Sequence, residues 1–198
     1  MKKHSQQVID LASIKLDAAV YDTLTEYKAA GTPDNGLRLN DYRRWSVVLS
    51  MLDGGDLLDI GIGMGQFPTA AMKSKRFSRV VGADVRPHTS LRNTENFELI
   101  KYDLTKAPGE LSADIVTCME CIEHIDDRFF QAAVDNLIAM ARKRLIVTVP
   151  FEEPLPLSTY HKQRFDEPRL KSLFPGCQLR FLKLENRVQW ALVDLIRS

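Results

Sequence analysis

An excess of charge of either sign is almost absent: 27 Lys and Arg residues stand against 26 Asp and Glu, a formal net charge of +1. That balance offers no general field for steering the chain toward nucleic acid or an anionic membrane. Long hydrophobic runs are also missing, and none approaches the roughly 20 apolar residues that span a bilayer. The opening Met1-Lys2-Lys3-His4 has the charges of a secretion signal without its apolar stretch. A cytoplasmic location is therefore expected. Cysteine is scarce, with Cys118, Cys121 and Cys177 the complete set. Cys118 and Cys121 have C-x-x-C spacing, but no second pair completes a metal site and Cys118 ends an apolar run. Small buried thiols in a reducing compartment are the expectation. There is no internal repeat and no low-complexity tract.

What is present reads as one globular domain: 44% of residues are hydrophobic and 27% charged over 198 positions. Within residues 7–30, Val8, Leu11, Ile14, Ala18, Tyr21 and Leu24 recur at steps of three or four, which predicts a helix with one buried stripe. Turn formers follow from Gly31 to Gly36. Asn40 or Asp41 then caps a second expected helix through Val47, Val48 and Leu52, ending at Gly54-Gly55. Residues 1–55 are thus expected to form an N-terminal helical lid on a main body of residues 56–198.

From Asp56 onward the pattern changes to short β-branched apolar runs: Leu57–Ile60, Arg79–Asp84, Phe97–Ile100, Asp114–Thr117 and Arg144–Val149. Parallel strands buried on both faces have this composition. Helical stretches, Gln66 to Lys73 and Asp127 to Ala141, separate several of them. This alternation predicts an α/β, doubly wound parallel sheet with right-handed crossovers. The link from Asp103 to Ala113 is too short for a full helix, so that crossover is expected to be trimmed. A last helix at Pro168–Leu173 precedes two strands, near Gln178–Leu184 and Val188–Leu195, joined as a hairpin at Glu185-Asn186.

The chemistry centres on Leu57-Leu58-Asp59-Ile60-Gly61-Ile62-Gly63-Met64-Gly65, where a buried strand runs into a glycine turn that opens a helix. Gly61, Gly63 and Gly65 let the backbone turn sharply and approach a ligand without a Cβ in the way. The spacing is G-x-G-x-G, not the G-x-G-x-x-G of dinucleotide binders, because position 66 is Gln. Asp59 stands just before the turn. A pyrophosphate is repelled there, whereas a cationic sulfonium and amino group are not. Asp84 closes the second strand, where an acid accepts from two ribose hydroxyls. Asp103 follows the third and is placed to accept from an exocyclic amine.

LLDIGIGMG, VVGADVRP, the segment ending in Asp103-Leu104, and ADIVTCMECIEHI resemble, in order, four motifs of the class I S-adenosylmethionine-dependent methyltransferases. The last has the form of their type-11 branch, which includes ubiquinone-biosynthesis O-methyltransferases. The resemblance covers about Asp56 to Phe165, with Ile62 where Cys is more usual. It implies a Rossmann-like seven-stranded sheet of order 3-2-1-4-5-7-6 with the last strand antiparallel. It also implies S-adenosylmethionine as cofactor, with contacts from Gly61, Gly63, Leu104 and Cys118 or Met119. Arg43 or Arg44 is a candidate partner for the methionyl carboxylate of that cofactor.

For the acceptor, methyl transfer needs alignment and desolvation above all, and a base only where a proton must be removed. Glu120, Glu123 and His124 follow the fourth strand as E-x-x-E-H, which leaves three readings open. They hold the loop by hydrogen bonds. Alternatively they bind a divalent ion such as Mg²⁺, with His161 as a fourth ligand. In the third reading His124, His161 or Glu123 serves as base. The same motif resembles the metal sites of ubiquinone-biosynthesis and small-RNA 2′-O-methyltransferases. The proline-rich stretch Phe151 to Phe165 resembles the H-x-x-x-F segment of type-11 enzymes. Its Tyr160, His161, Lys162 and Arg164 are candidate acceptor contacts.

The leading expectation is O-methylation of a small hydroxylated metabolite or a glycan. Two alternatives stand beside it. One is a metal-assisted RNA 2′-O-methyltransferase, disfavoured by the charge balance. The other is a nicotinamide-dependent oxidoreductase, disfavoured by Gln66.

Overall fold

The computed structural model describes residues 7–31, 39–87 and 93–197. Thr32 to Gly36 of the expected turn fall outside them. The apolar runs after Asp56 become strands of one sheet packed between helical layers, and only Phe97–Lys101 among them lies at its edge. In chain order the elements are β1 (Gln7–Asp10), α1 (Ala18–Ala29), α2 (Leu39–Ser50), β2 (Asp56–Ile60), α3 (Gln66–Ser74), β3 (Arg79–Asp84) and β4 (Phe97–Lys101). They continue with β5 (Ala113–Met119), α4 (Asp127–Met140), β6 (Ala141–Pro150), α5 (Glu167–Leu173), β7 (Gln178–Leu184) and β8 (Arg187–Ile196).

One sheet of eight strands runs β1-β7-β8-β6-β5-β2-β3-β4. β8 is antiparallel to both its neighbours, and the other pairings are parallel. The expected seven-stranded order is corrected: an eighth strand, β1, lies parallel to β7 at the edge. It comes from residues expected to be helical. Val8 and Ile9 fit a strand as well as a helix, and the open edge of β7 supplies hydrogen-bond partners that an isolated first turn lacks. The helix begins only at Ala18, capped by the Asp17 carboxylate accepting from the Ala19 amide. The second helix also starts earlier than expected, at Leu39, so Asn40 and Asp41 lie inside its first turn. No helix bridges β4 and β5, so this crossover is indeed trimmed.

Alternating side chains split the core into two layers. Leu58, Val116, Cys118, Leu145 and Val147 pack with α4 and α5 through Phe130, Leu137, Leu170 and Phe174. Leu57, Ile115, Met119 and Ile146 pack on the opposite face with α2, α3 and the fully buried Leu11 and Val20. Among the described residues no helix is long and apolar enough to cross a membrane.

Candidate active site

The carboxyl ends of β2, β3 and β5 and the turn after β4 surround one cavity of about 340 Å³. Gly61, Gly63, Asp84, Asp103, Leu104 and Cys121 are in its wall. The glycine turn is shaped by its residues: Gly61, Gly63 and Gly65 all have positive φ, at 75°, 54° and 83°. A Cβ on Gly61 would lie 2.5 Å from Cys121 Sγ, whereas one on Gly63 would meet no protein atom within 4 Å. Gly61 is therefore fixed by packing, and Gly63 leaves open space at the cavity wall.

The acids are held in distinct ways. Asp84 accepts the Gly63 amide at 3.1 Å and the Arg86 amide at 2.8 Å, one on each oxygen. Asp103 Oδ1 accepts both the amide and the hydroxyl of Thr105. Those two bonds hold its carboxyl below the usual range. Oδ2 is left without a protein donor among the described residues. Asp59 is 2% exposed and accepts the Thr117 hydroxyl at 2.7 Å. Burial pushes it up to about 7; the Thr117 bond opposes the rise and the Asp84 charge adds to it. It lies behind the glycine turn and not in the cavity wall. Gly65, the N-cap of α3, also stands back from the wall.

Other expected cofactor residues sit elsewhere. Cys118 is fully buried in the sheet core, where the hydrogen bond with Cys121 and burial push its thiol up. Met119 faces the opposite core layer. The structure puts Glu120 and Cys121, the two residues that follow directly, at the wall in their place. Arg44 is buried, ion-paired to Asp41 at 3.2 Å and Glu120 at 3.1 Å, with its guanidinium 5.0 Å from the Trp190 ring centroid. Arg43 donates to Asn40.

The E-x-x-E-H stretch is divided. Glu120 takes a positive φ of 51°, which turns it toward Arg44 and the Trp190 indole N–H, 2.8 Å from its Oε2. Glu123, His124 and His161 converge instead, with a ligand atom of each within 4.8 Å of the others. The chain from Phe151 to Phe165 is pinned over this cluster: the Lys162 and Gln163 amides donate to the Glu123 carbonyl at 2.7 and 3.0 Å. His124 Nδ1 lies 3.0 Å from the Tyr160 carbonyl oxygen, so it carries the hydrogen, since that oxygen only accepts. His161 Nδ1 lies 2.6 Å from Glu153 Oε2. Both imidazoles are thereby oriented through Nδ1, as ligating histidines are. Glu123 is 1% exposed and neither carboxylate oxygen has a hydrogen-bond partner among the described residues. Burial, then the charge of Glu120, raises its pKa well above the ordinary value. Of the four residues expected as metal ligands, Glu123, His124 and His161 come together, and Glu120 is turned away to Arg44 and Trp190.

A second cavity, about 330 Å³, opens on the other side of Glu120. Phe151, Glu153, His161, Arg187, Gln189 and Trp190 contribute to its wall. The two histidine rings, 5.0 Å apart and edge to face, stand at the junction, His124 lining the first cavity and His161 the second. Of the expected acceptor contacts, Tyr160 is 77% exposed and Arg164 is tied to the Glu153 carbonyl. Trp190, Arg187 and Glu153 were not legible as site residues. The only signal for Trp190 is a large aromatic near the start of the last strand.

A doubly wound sheet with a glycine turn after the strand bearing Asp59, and acids after the next two strands, defines a class I S-adenosylmethionine-dependent methyltransferase. The chain belongs to the methyltransferase-domain family, whose match spans residues 38–182. S-Adenosylmethionine is its cofactor, and the nicotinamide reading falls with that assignment. No curated protein sequence matches significantly. The fold is shared with the methyltransferase domain of a bacterial Hen1, CtHen1 (TM-score 0.63, 20% identity, 78% of this chain and 97% of that one). It is also shared with the small RNA methyltransferase HEN1 (TM-score 0.65, 17% identity), covering 80% of this chain but 25% of the other. A third likeness is 1,6-didemethyltoxoflavin-N1-methyltransferase of Burkholderia thailandensis, crystallised with that compound and S-adenosylhomocysteine. Its TM-score is 0.62 at 16% identity, over 90% of this chain and 87% of that one.

Proposed function

We propose that the chain O-methylates a small hydroxylated metabolite or the end of a glycan. The cofactor occupies the cavity at Gly61 and Gly63, and the acceptor the cavity beyond Glu120. The single observation behind this reading is the pair of cavities sharing Glu120 as a wall, with His124 and His161 facing each other across the junction. When bound, the cofactor supplies an electrophilic methyl group on a sulfonium. Asp84, anchored by two amides, is suited to the ribose hydroxyls, and Asp103 with its free Oδ2 to the adenine amine. Gly63 leaves room for close approach, and Leu104 adds apolar wall. Asp59 and Gly65 support the turn from behind. The N-terminal helices form the lid, a role supported by the Tyr27 hydroxyl donating to the Met64 carbonyl in the glycine loop. His161, held by Glu153, is suited to take the proton of an acceptor hydroxyl. The E-x-x-E-H and H-x-x-x-F stretches support the type-11 branch.

One observation favours a second reading of the junction, in which Glu123, His124 and His161 hold a divalent cation such as Mg²⁺. The orphaned Glu123 carboxylate and two imidazoles oriented by their Nδ1 atoms fit such an ion. Glu123, His124 and His161 would hold the ion, and its charge would lower the proton affinity of an acceptor hydroxyl beside it. An RNA acceptor is disfavoured, because the chain's charge is nearly balanced and this cavity's wall offers a single arginine.

Thermal shift with S-adenosylhomocysteine tests the cofactor site: at 100 times its dissociation constant the gain is about 2.7 kcal/mol. A labelled-methyl assay with Mg²⁺ or EDTA then separates base from metal. A rate indifferent to both ends the metal reading.

A further inference from the structure

We infer that the acceptor is an acidic sugar, a uronate whose ring lies in the cavity beyond Glu120 with its carboxylate on Arg187. This rests on the methyltransferase reading above and names the substrate class of its second cavity.

The charged groups around this wall are unevenly partnered. Glu120 is answered by the Arg44 guanidinium at 3.1 Å and the Trp190 N–H at 2.8 Å. Glu153 is answered by His161 at 2.6 Å and by the Ser158 amide at 3.2 Å. Arg187, the first residue of β8, has no acidic partner among the described residues. Arg187 is therefore the one arginine of this wall with no acidic partner among the described residues, and its planar fork matches a carboxylate in two parallel hydrogen bonds. A neutral acceptor leaves that pairing unused.

The remaining wall selects a ring with several hydroxyls. Trp190 sits opposite Pro150 across β6 and β8, and Phe151 follows directly, so apolar and aromatic surface meets the ligand there. Gln189, Glu153 and His161 interleave polar groups with that surface. A flat aromatic acceptor with one hydroxyl leaves most of these groups unpaired on binding, which costs affinity, whereas a pyranose presents hydroxyls around its edge and C–H faces to the rings. A volume of about 330 Å³ is at the small end of ligand pockets, enough for one sugar unit. One wall of the cavity is Glu120, so a hydroxyl on the ring edge nearest His161 faces the cofactor cavity.

The test uses the full chain saturated with S-adenosylhomocysteine, titrated by calorimetry and ligand-observed NMR with four probes. These are methyl β-D-glucuronide, methyl β-D-glucoside, glucose 6-phosphate and 4-hydroxybenzoate. The glucuronide is expected to bind roughly tenfold or more tightly than the glucoside, the ratio for one charge-assisted pair. Arg187→Gln is expected to erase that ratio while S-adenosylhomocysteine affinity stays unchanged, and Arg187→Lys to keep part of it. Equal binding of glucoside and glucuronide overturns the inference. So does preference for the phosphate or for 4-hydroxybenzoate, a ratio that survives Arg187→Gln, or no saccharide binding by the cofactor-loaded protein. Failure to bind S-adenosylhomocysteine at all is a different result. It removes the methyltransferase reading, and this inference goes with it.

Discussion

The Asp84 carboxylate accepts the Gly63 amide at 3.1 Å, joining the end of β3 to the glycine turn after β2 across 21 residues. This contact fixes the acid beside a glycine at which an added Cβ would meet no protein atom within 4 Å. The pair therefore separates folding from binding. Gly63→Ala meets only the strain of its φ of 54°, a cost of about 1–2 kcal/mol. S-Adenosylhomocysteine affinity is expected to fall by a far larger margin, about 100-fold, because the methyl group occupies the ligand's space. Denaturant melts and calorimetry on the same variant measure both numbers. A variant that binds like the wild type places the ligand elsewhere.

Gly61 behaves in the opposite way. Its added Cβ lies 2.5 Å from Cys121 Sγ at a φ of 75°, so Gly61→Ala is expected to destabilise the fold itself by about 2–4 kcal/mol. Adding Cys121→Ala removes the Sγ contact but keeps both the Cβ–Cβ approach of 2.8 Å and the backbone strain, so only part of the loss should return. Full recovery in the double variant would mean that the positive φ costs nothing here.

Asp59 gives the stability a pH dependence of predictable sign. Its pKa of about 7 in the folded protein lies above the 3.8 of an ordinary carboxyl. Between those values the folded state holds more protons than the unfolded one. The contribution is thus greatest below that window, falls as pH rises through it, and is level above about 7. Asn at this position still accepts from Thr117 and never ionises. Relative to Asp59→Asn, the wild type should lose about 4 kcal/mol between pH 4 and pH 8. Parallel stability curves for the two proteins would show that Asp59 is not desolvated in solution.

Glu120 and Glu123 are separated by the same logic. Glu120→Ala leaves the buried Arg44 with Asp41 as its remaining ion-pair partner, and a loss of about 1–3 kcal/mol is expected. Any effect of Mg²⁺ on methyl transfer should persist in that variant and vanish in Glu123→Gln and His161→Ala. A metal response lost on changing Glu120 alone would restore the four-ligand arrangement.

Much of the sheet was legible because its strands are buried on both faces and therefore carry unbroken β-branched runs. The glycine turn and the acids at 59, 84 and 103 were legible because local spacing alone places them at strand ends. β1 was not. Val8, Leu11 and Ile14 satisfy a helical period, and only the edge of β7, more than 170 residues away, decides for a strand. That segment is no loose tail: Leu11 is fully buried, so Leu11→Ala should cost about 2–5 kcal/mol in a denaturant melt. The division of E-x-x-E-H was hidden for a similar reason. A three-residue spacing suggests one shared face, but the positive φ at Glu120 and the distant partners Arg44 and Trp190 break it.

Calorimetric titration of the full chain with S-adenosylhomocysteine, repeated with NAD and on Asp84→Ala, tests the account most directly. The expected result is one saturable site for the homocysteine ligand, weakened about 30-fold or more by Asp84→Ala, and no heat with the dinucleotide. Heat with NAD and none with S-adenosylhomocysteine would contradict it.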